Sequence, residues 1–135
     1  MADSQITLAW TGEGLNFEAA HSVYAYRADG DGARAHSPVQ ALLLSLASCT
    51  GADVVDIAQK MRVAISGLEV VAEGDRNAEP PRYFTAIRLK FTATGVAAED
   101  RPKIERAIEL SHEKYCSVFH SLRADIDFRT ELVLG

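Results

Sequence analysis

The chain of 135 residues has little cysteine, no basic cluster and no long apolar run, and each shortage excludes a class of function. Its two cysteines, Cys49 and Cys116, stand 67 positions apart. That separation excludes a local CxxC redox turn, and two thiols are too few for a typical structural zinc site. Lys and Arg number 14 against 19 Asp and Glu, a net charge of -5. An acidic chain without a Lys/Arg cluster argues against nucleic acid and against an anionic membrane surface as partners. The N-terminal Met1-Ala2-Asp3-Ser4-Gln5 shows neither the basic nor the apolar region of a signal peptide. The longest apolar stretch, around Ala41 to Ala47, is broken by Ser45 and falls far short of a membrane span. Together these features predict a cytoplasmic protein, in which a permanent disulfide is disfavoured. The histidines His21, His36, His112 and His120 lack the spacing of a compact metal site, so no metal is expected. There is no glycine-rich phosphate loop and no GxSxG nucleophile elbow.

What is present reads as one globular domain over residues 1–135, with 47% hydrophobic and 24% charged residues. Ile6, Leu8 and Trp10 alternate with polar or small residues, Gly12-Glu13-Gly14 turns the chain, and Leu15, Phe17 and Ala19 alternate again. This predicts a β-hairpin, with a third short strand over Val23 to Tyr26 and a loop over Ala28 to Ala33. Ser37-Pro38 predicts an N-cap followed by proline at the first helical position. The helix is expected from Pro38 to about Arg62, because Val39, Leu42, Leu43, Leu46, Thr50, Val54, Ile57 and Met61 recur at helical spacing. Gly51 inside it predicts close packing, with another helix as one neighbour. A strand from Gly67 to Glu73 is followed by a turn over Asp75 to Pro81. A long strand then carries Tyr83, Thr85, Ile87, Leu89, Phe91 and Ala93 on one face and Phe84, Arg88, Lys90 and Thr92 on the other. A second helix, starting between Ala97 and Pro102, sets Ile104, Ala107, Ile108, Ser111, Tyr115 and Val118 on one side, and Ile126 to Leu134 forms a last strand. The order predicts an α+β fold.

Both cysteines fall at the edge of an apolar helical stripe, so the two thiols can look into one shared space. They are either small core residues or transient redox partners. A reactive thiol needs its thiolate stabilised by a cation or a helix N-terminus. Cys49 is at no helix N-terminus, and the charges of Asp53 and Asp56 oppose a thiolate there. The activating cation must come from elsewhere in the chain or from a second subunit, and Arg27 and Arg34 are the candidates.

The stretch Ser37-Pro38-x-x-x-Leu42-Leu43, continuing through Cys49-Thr50-Gly51-x-Asp53-Val54-Val55 to Lys60-Met61-Arg62, resembles the first-helix signature of the OsmC/Ohr family. Ser111-His112-Glu113-Lys114-Tyr115-Cys116-Ser117-Val118 resembles its second-cysteine motif. The resemblance covers nearly the whole chain and lies nearest the OsmC-like branch. It implies antiparallel sheets wrapped around two central long helices in an intertwined homodimer. It also implies a thiol-dependent peroxidase for organic hydroperoxides, an antioxidant oxidoreductase with no bound cofactor that needs an external dithiol reductant. By position Cys49 would be the peroxidatic thiol, oxidised to a sulfenic acid, and Cys116 the resolving one. Arg27 would stabilise the thiolate. Catalytic members carry a glutamate shortly after the helix-start proline. Here Pro38-Val39-Gln40-Ala41 has no carboxylate, and Gln40 would orient the arginine in its place. The missing carboxylate leaves open a non-catalytic alternative, a dimer-interface pocket that holds a small hydrophobic ligand.

Overall fold

A computed structural model describes residues 2–135. The chain packs as two compact units, Met1–Leu42 and Leu43–Gly135. In the first, β1 (Leu8–Trp10), β2 (Asn16–Ala19) and β3 (Arg27–Asp29) form an antiparallel sheet in the order β1-β2-β3. The predicted hairpin is there, with Trp10 opposite Phe17 and positive φ at Gly12 and Gly14 in its turn. The third strand lies later than Val23 to Tyr26. Asp29 causes the displacement: its buried carboxylate accepts the N–H groups of Asp31 (2.9 Å), Ala33 (3.2 Å) and Arg34 (2.9 Å). These bonds fold the following turn back beneath the residue, so the strand runs directly into it. They also hold the Asp29 carboxyl below the usual carboxylate range. Ile6, Trp10, Val23 and Tyr24 are exposed, so this sheet alone buries little of its apolar surface.

Helix α1 (Pro38–Lys60) starts where Ser37-Pro38 predicts. Ser37 Oγ accepts the Gln40 N–H at 3.2 Å, while Gln40 Oε1 accepts the Ser37 N–H at 3.0 Å. This reciprocal capping box satisfies two of the donors that a helix start leaves unpaired. At 23 residues α1 is long and apolar enough, by length and composition, to cross a membrane, a test that core helices of soluble proteins also pass. Leu46, Thr50, Val54 and Ala58, spaced four apart, form its buried line, whereas Leu42 and Leu44 are exposed.

In the second unit β4 (Gly67–Arg76), β5 (Phe84–Thr94) and β6 (Asp127–Leu134) form a sheet with β5 central. Two sequence expectations need correction here. The sheet is mixed rather than antiparallel: β4 and β5 run antiparallel, β5 and β6 parallel. Alternating side chains do not encode strand direction. The helical crossover between β5 and β6 does, because it returns the chain to the edge from which β5 set out. The second correction concerns Phe84, expected on the outer face and found buried. Asp75 pairs with Ala86 and Arg76 with Phe84, so Thr85 is an extra residue that inverts the alternation. The Thr85 hydroxyl donates to the Asp75 carbonyl at 3.2 Å within this bulge.

Gly51 of α1 faces β4, not another helix. A Cβ added there would meet Val70 at 3.6 Å and Leu68 at 3.9 Å, ordinary van der Waals contact. Gly51→Ala should therefore fit and raise stability by up to about 1 kcal/mol through helix propensity. A urea unfolding midpoint measures this, and a lower midpoint would show that the backbone needs glycine.

The second helix is shorter than its apolar pattern predicts. After a 3₁₀ turn at Ala98–Asp100, α2 covers Arg101–Leu110, ten residues, and the backbone then widens into one π turn over Ser111–Tyr115. Arg101 anchors the start of α2 to β6 by donating to the Leu132 carbonyl at 2.7 Å.

Candidate active site

The π turn decides which side chain enters the core. Continued α-helical phase from Ala107 and Ser111 would bring Tyr115 inward. Instead the Cys116 N–H donates to the Ser111 carbonyl five residues back, at 2.7 Å. Tyr115 is consequently half-exposed, and Cys116 is fully buried. π turns of this kind concentrate at functional sites. A 3₁₀ turn over Phe119–Ser121 follows, and the Phe119 N–H points back to Cys116 Sγ at 3.3 Å.

The other half of the site comes from α1. Thr50, fully buried, donates its hydroxyl to Cys116 Sγ at 3.5 Å. Cys49, the preceding residue, is half-buried, and both thiols are free. Burial pushes the Cys116 thiol up, and the adjacent Cys49 thiol adds to this. The bonds from Thr50 and Phe119 act the other way, since both donate to sulfur and favour the thiolate. The fold thus brings together two residues 67 positions apart in the chain.

The carboxylates expected to oppose a Cys49 thiolate are both engaged. Asp53 accepts the buried Ser111 hydroxyl at 2.8 Å, which ties α1 to the π turn one helical turn beyond Cys49. Asp56 pairs with Lys60 at 2.8 Å.

The remaining predicted residues lie in the first unit. Arg27 is exposed on β3 and pairs with Glu18 at 3.7 Å. Arg34 pairs with Glu13 at 3.2 Å. Gln40 serves the capping box, a role that the Ser-x-x-Gln spacing announces and that went unread in the sequence. The Thr50 donor sits on the apolar stripe of α1, and neither it nor the Asp53–Ser111 link carries a local sequence motif.

His112 on the π turn packs against Phe128 (4.6 Å between ring centroids) and Phe119 (5.0 Å), and its buried Nε2 has no hydrogen-bond partner. It lines a cleft of about 680 Å³ together with Arg101, Glu105, Glu109 and Glu131. Glu109 and His112 form a Glu-x-x-His pair, but among the described residues no three His, Cys, Asp or Glu converge closely enough to hold a metal ion. Burial lowers the His112 pKa from 6.5 to about 4, against a smaller upward pull from Asp53. The unfolded chain then binds a proton below pH 6.5 that the folded chain refuses until about 4. Stability should be independent of this group above 6.5 and fall as pH drops through that window, by roughly 1 kcal/mol per pH unit once solvent screening is allowed for. His112→Phe should flatten that decline in urea midpoints measured across the window. An unchanged slope would assign the acid sensitivity to other groups.

An OsmC-like protein family model matches residues 29–131. The protein YhfA of Escherichia coli strain K12 is 39% identical over 116 residues, 84% of this chain and 85% of YhfA. A hypothetical protein from Aquifex aeolicus superposes with a TM-score of 0.87 at 25% identity, covering 100% of this chain and 98% of its own. The organic hydroperoxide resistance protein OsmC from Legionella pneumophila superposes with a TM-score of 0.70 at 16% identity, covering 98% of each chain, and this likeness is one of fold. Family model and relative agree: the chain belongs to the OsmC-like protein family.

Proposed function

We propose that the protein is a thiol-dependent peroxidase for organic hydroperoxides, with Cys49 as nucleophile and Cys116 as resolving thiol. The observation that carries this reading is the meeting of two free thiols across α1 and the end of the π turn, one half-buried and the other fully buried. The Cys49 thiolate attacks the terminal peroxide oxygen. The O–O bond breaks, the alcohol leaves with a proton, and Cys49 becomes a sulfenic acid. Cys116 then displaces its oxygen as water, forming a disulfide that an external dithiol reduces back to two thiols. Arg27 or Arg34, from the same subunit or its partner in a homodimer, supplies the cation that the Cys49 thiolate needs, with Gln40 orienting it. The setting is the cytoplasm, and no bound cofactor takes part.

The test is steady-state consumption of cumene hydroperoxide with dithiothreitol as reductant, hydrogen peroxide being run in parallel. Faster turnover of the organic peroxide supports the reading, and turnover no faster than without protein contradicts it.

One observation favours a second reading. Leu44, Ala47, Gly51 and Val55 of α1, with Leu68 and Val70 of β4, line an open apolar groove of about 640 Å³. A groove of that size and lining suits a small hydrophobic ligand, with the cysteines then serving as core residues. Saturable binding of such a ligand, unaffected by Cys49→Ser, would favour it.

A further inference from the structure

Cys116 has surroundings that simple burial does not require. A fully buried thiol packed as a small hydrophobe needs no hydrogen-bond donors, yet two converge on this sulfur from different elements: the Thr50 hydroxyl of α1 at 3.5 Å and the Phe119 backbone N–H at 3.3 Å. Thr50 is itself fully buried, and its hydroxyl lies within hydrogen-bonding distance of Cys116 Sγ. The backbone goes out of its way to reach this arrangement. The π turn brings Cys116 under Ser111, and the chain then reverses so that Phe119 N–H faces the sulfur. Thr50 also adjoins Cys49 in sequence, so one turn of α1 presents both the nucleophile and a donor to its resolving partner.

We propose that Thr50 and the Phe119 amide form a two-donor cradle that eases ionisation of the buried Cys116 thiol and stabilises the charge on its sulfur as it attacks the oxidised Cys49. The inference rests on the peroxidase reading for its reaction, although the cradle itself can be measured without a peroxide. In the resolving step the Cys116 thiolate attacks the Cys49 sulfenic sulfur. The S–S bond forms, the S–O bond breaks, and hydroxide leaves and takes up a proton as water. The organic hydroperoxide of the preceding step is the oxidant. A dry core resists the charge that this attack needs, and two aligned donors offset that resistance where water is excluded. Among the groups around Cys116, Cys49 is the titratable neighbour on α1, Asp53 is committed to Ser111, and His112 faces Phe119 and Phe128.

Thr50→Val keeps the branched shape and removes the donor, and Thr50→Ser restores it. After one equivalent of cumene hydroperoxide, disulfide closure in Thr50→Val should slow about tenfold at neutral pH, the scale of one lost hydrogen bond to a charged group. Its pH–rate profile should move to higher pH, Cys49 sulfenic acid should accumulate, and Thr50→Ser should close at nearly the parent rate. The second readout uses a Cys49→Ser background, in which Cys116 is the one thiol. Its thiolate absorbance should titrate at higher pH when Thr50 is valine and return toward the parent when it is serine. If Thr50→Val does not fold, Thr50→Ala takes its place in both measurements. An unreactive parent protein would sink the peroxidase reading while the titration still judged the cradle. Unchanged titration with valine or alanine at position 50 would overturn the cradle even in a working peroxidase.

Discussion

Cys49→Ser is expected to abolish hydroperoxide reduction, while Cys116→Ser should retain one turnover per subunit and then stop. A serine hydroxyl is far less ionised than a thiol and far less nucleophilic toward oxygen, so the loss should be on the order of 10⁴-fold or more, the scale seen when a covalent nucleophile is deleted. Cys116→Ser removes a different function. Cys116 is fully buried whereas Cys49 is half-buried, so on the proposed assignment the first oxidation of Cys49 proceeds and the sulfenic acid has no partner. Stopped-flow consumption of cumene hydroperoxide without reductant separates the two variants, with one equivalent consumed for Cys116→Ser and none for Cys49→Ser. Equal bursts from both would place the chemistry at another residue.

The second large effect is on stability. Phe91→Ala is expected to cost about 3–5 kcal/mol. Phe91 is fully buried in β5, opposite Val70 of β4 and Leu132 of β6, and it is the largest fully buried side chain among the described residues. A domain's whole stability is of order 5–15 kcal/mol, so the variant should unfold about 10–20 °C lower in a thermal melt. A shift of only a few degrees would mean that β5 is less tightly covered than its burial indicates. The effect should reach the site as well, since β5 is one of the two strands joined by the crossover that carries Cys116.

How far each part was legible follows from the range of the interactions that set it. The start of α1 is written locally in Ser37-Pro38, and the hairpin in the alternation around Gly12-Glu13-Gly14. The edge position of both cysteines made a meeting possible without determining it, because the angle between α1 and α2 is a tertiary quantity. The π turn at Ser111–Tyr115 was illegible: Ala107, Ser111 and Tyr115 keep perfect α-helical spacing, and only packing favours Cys116 inside over Tyr115. The bulge at Thr85 was hidden for the same reason, because Phe84 and Tyr83 are both aromatic and either can face the core. Thr50 was seen as an apolar-face residue, and its hydroxyl acquires a meaning only once Cys116 arrives from 66 residues away.

The measurement that tests the central claim most directly is the intact mass and free-thiol count of the reduced protein after one equivalent of cumene hydroperoxide. The account predicts loss of both thiols and of two hydrogen masses, faster than with hydrogen peroxide, which is the signature of a Cys49–Cys116 disulfide. Two thiols and an unchanged mass after long exposure would contradict it, and would turn attention to ligands of the apolar groove along α1.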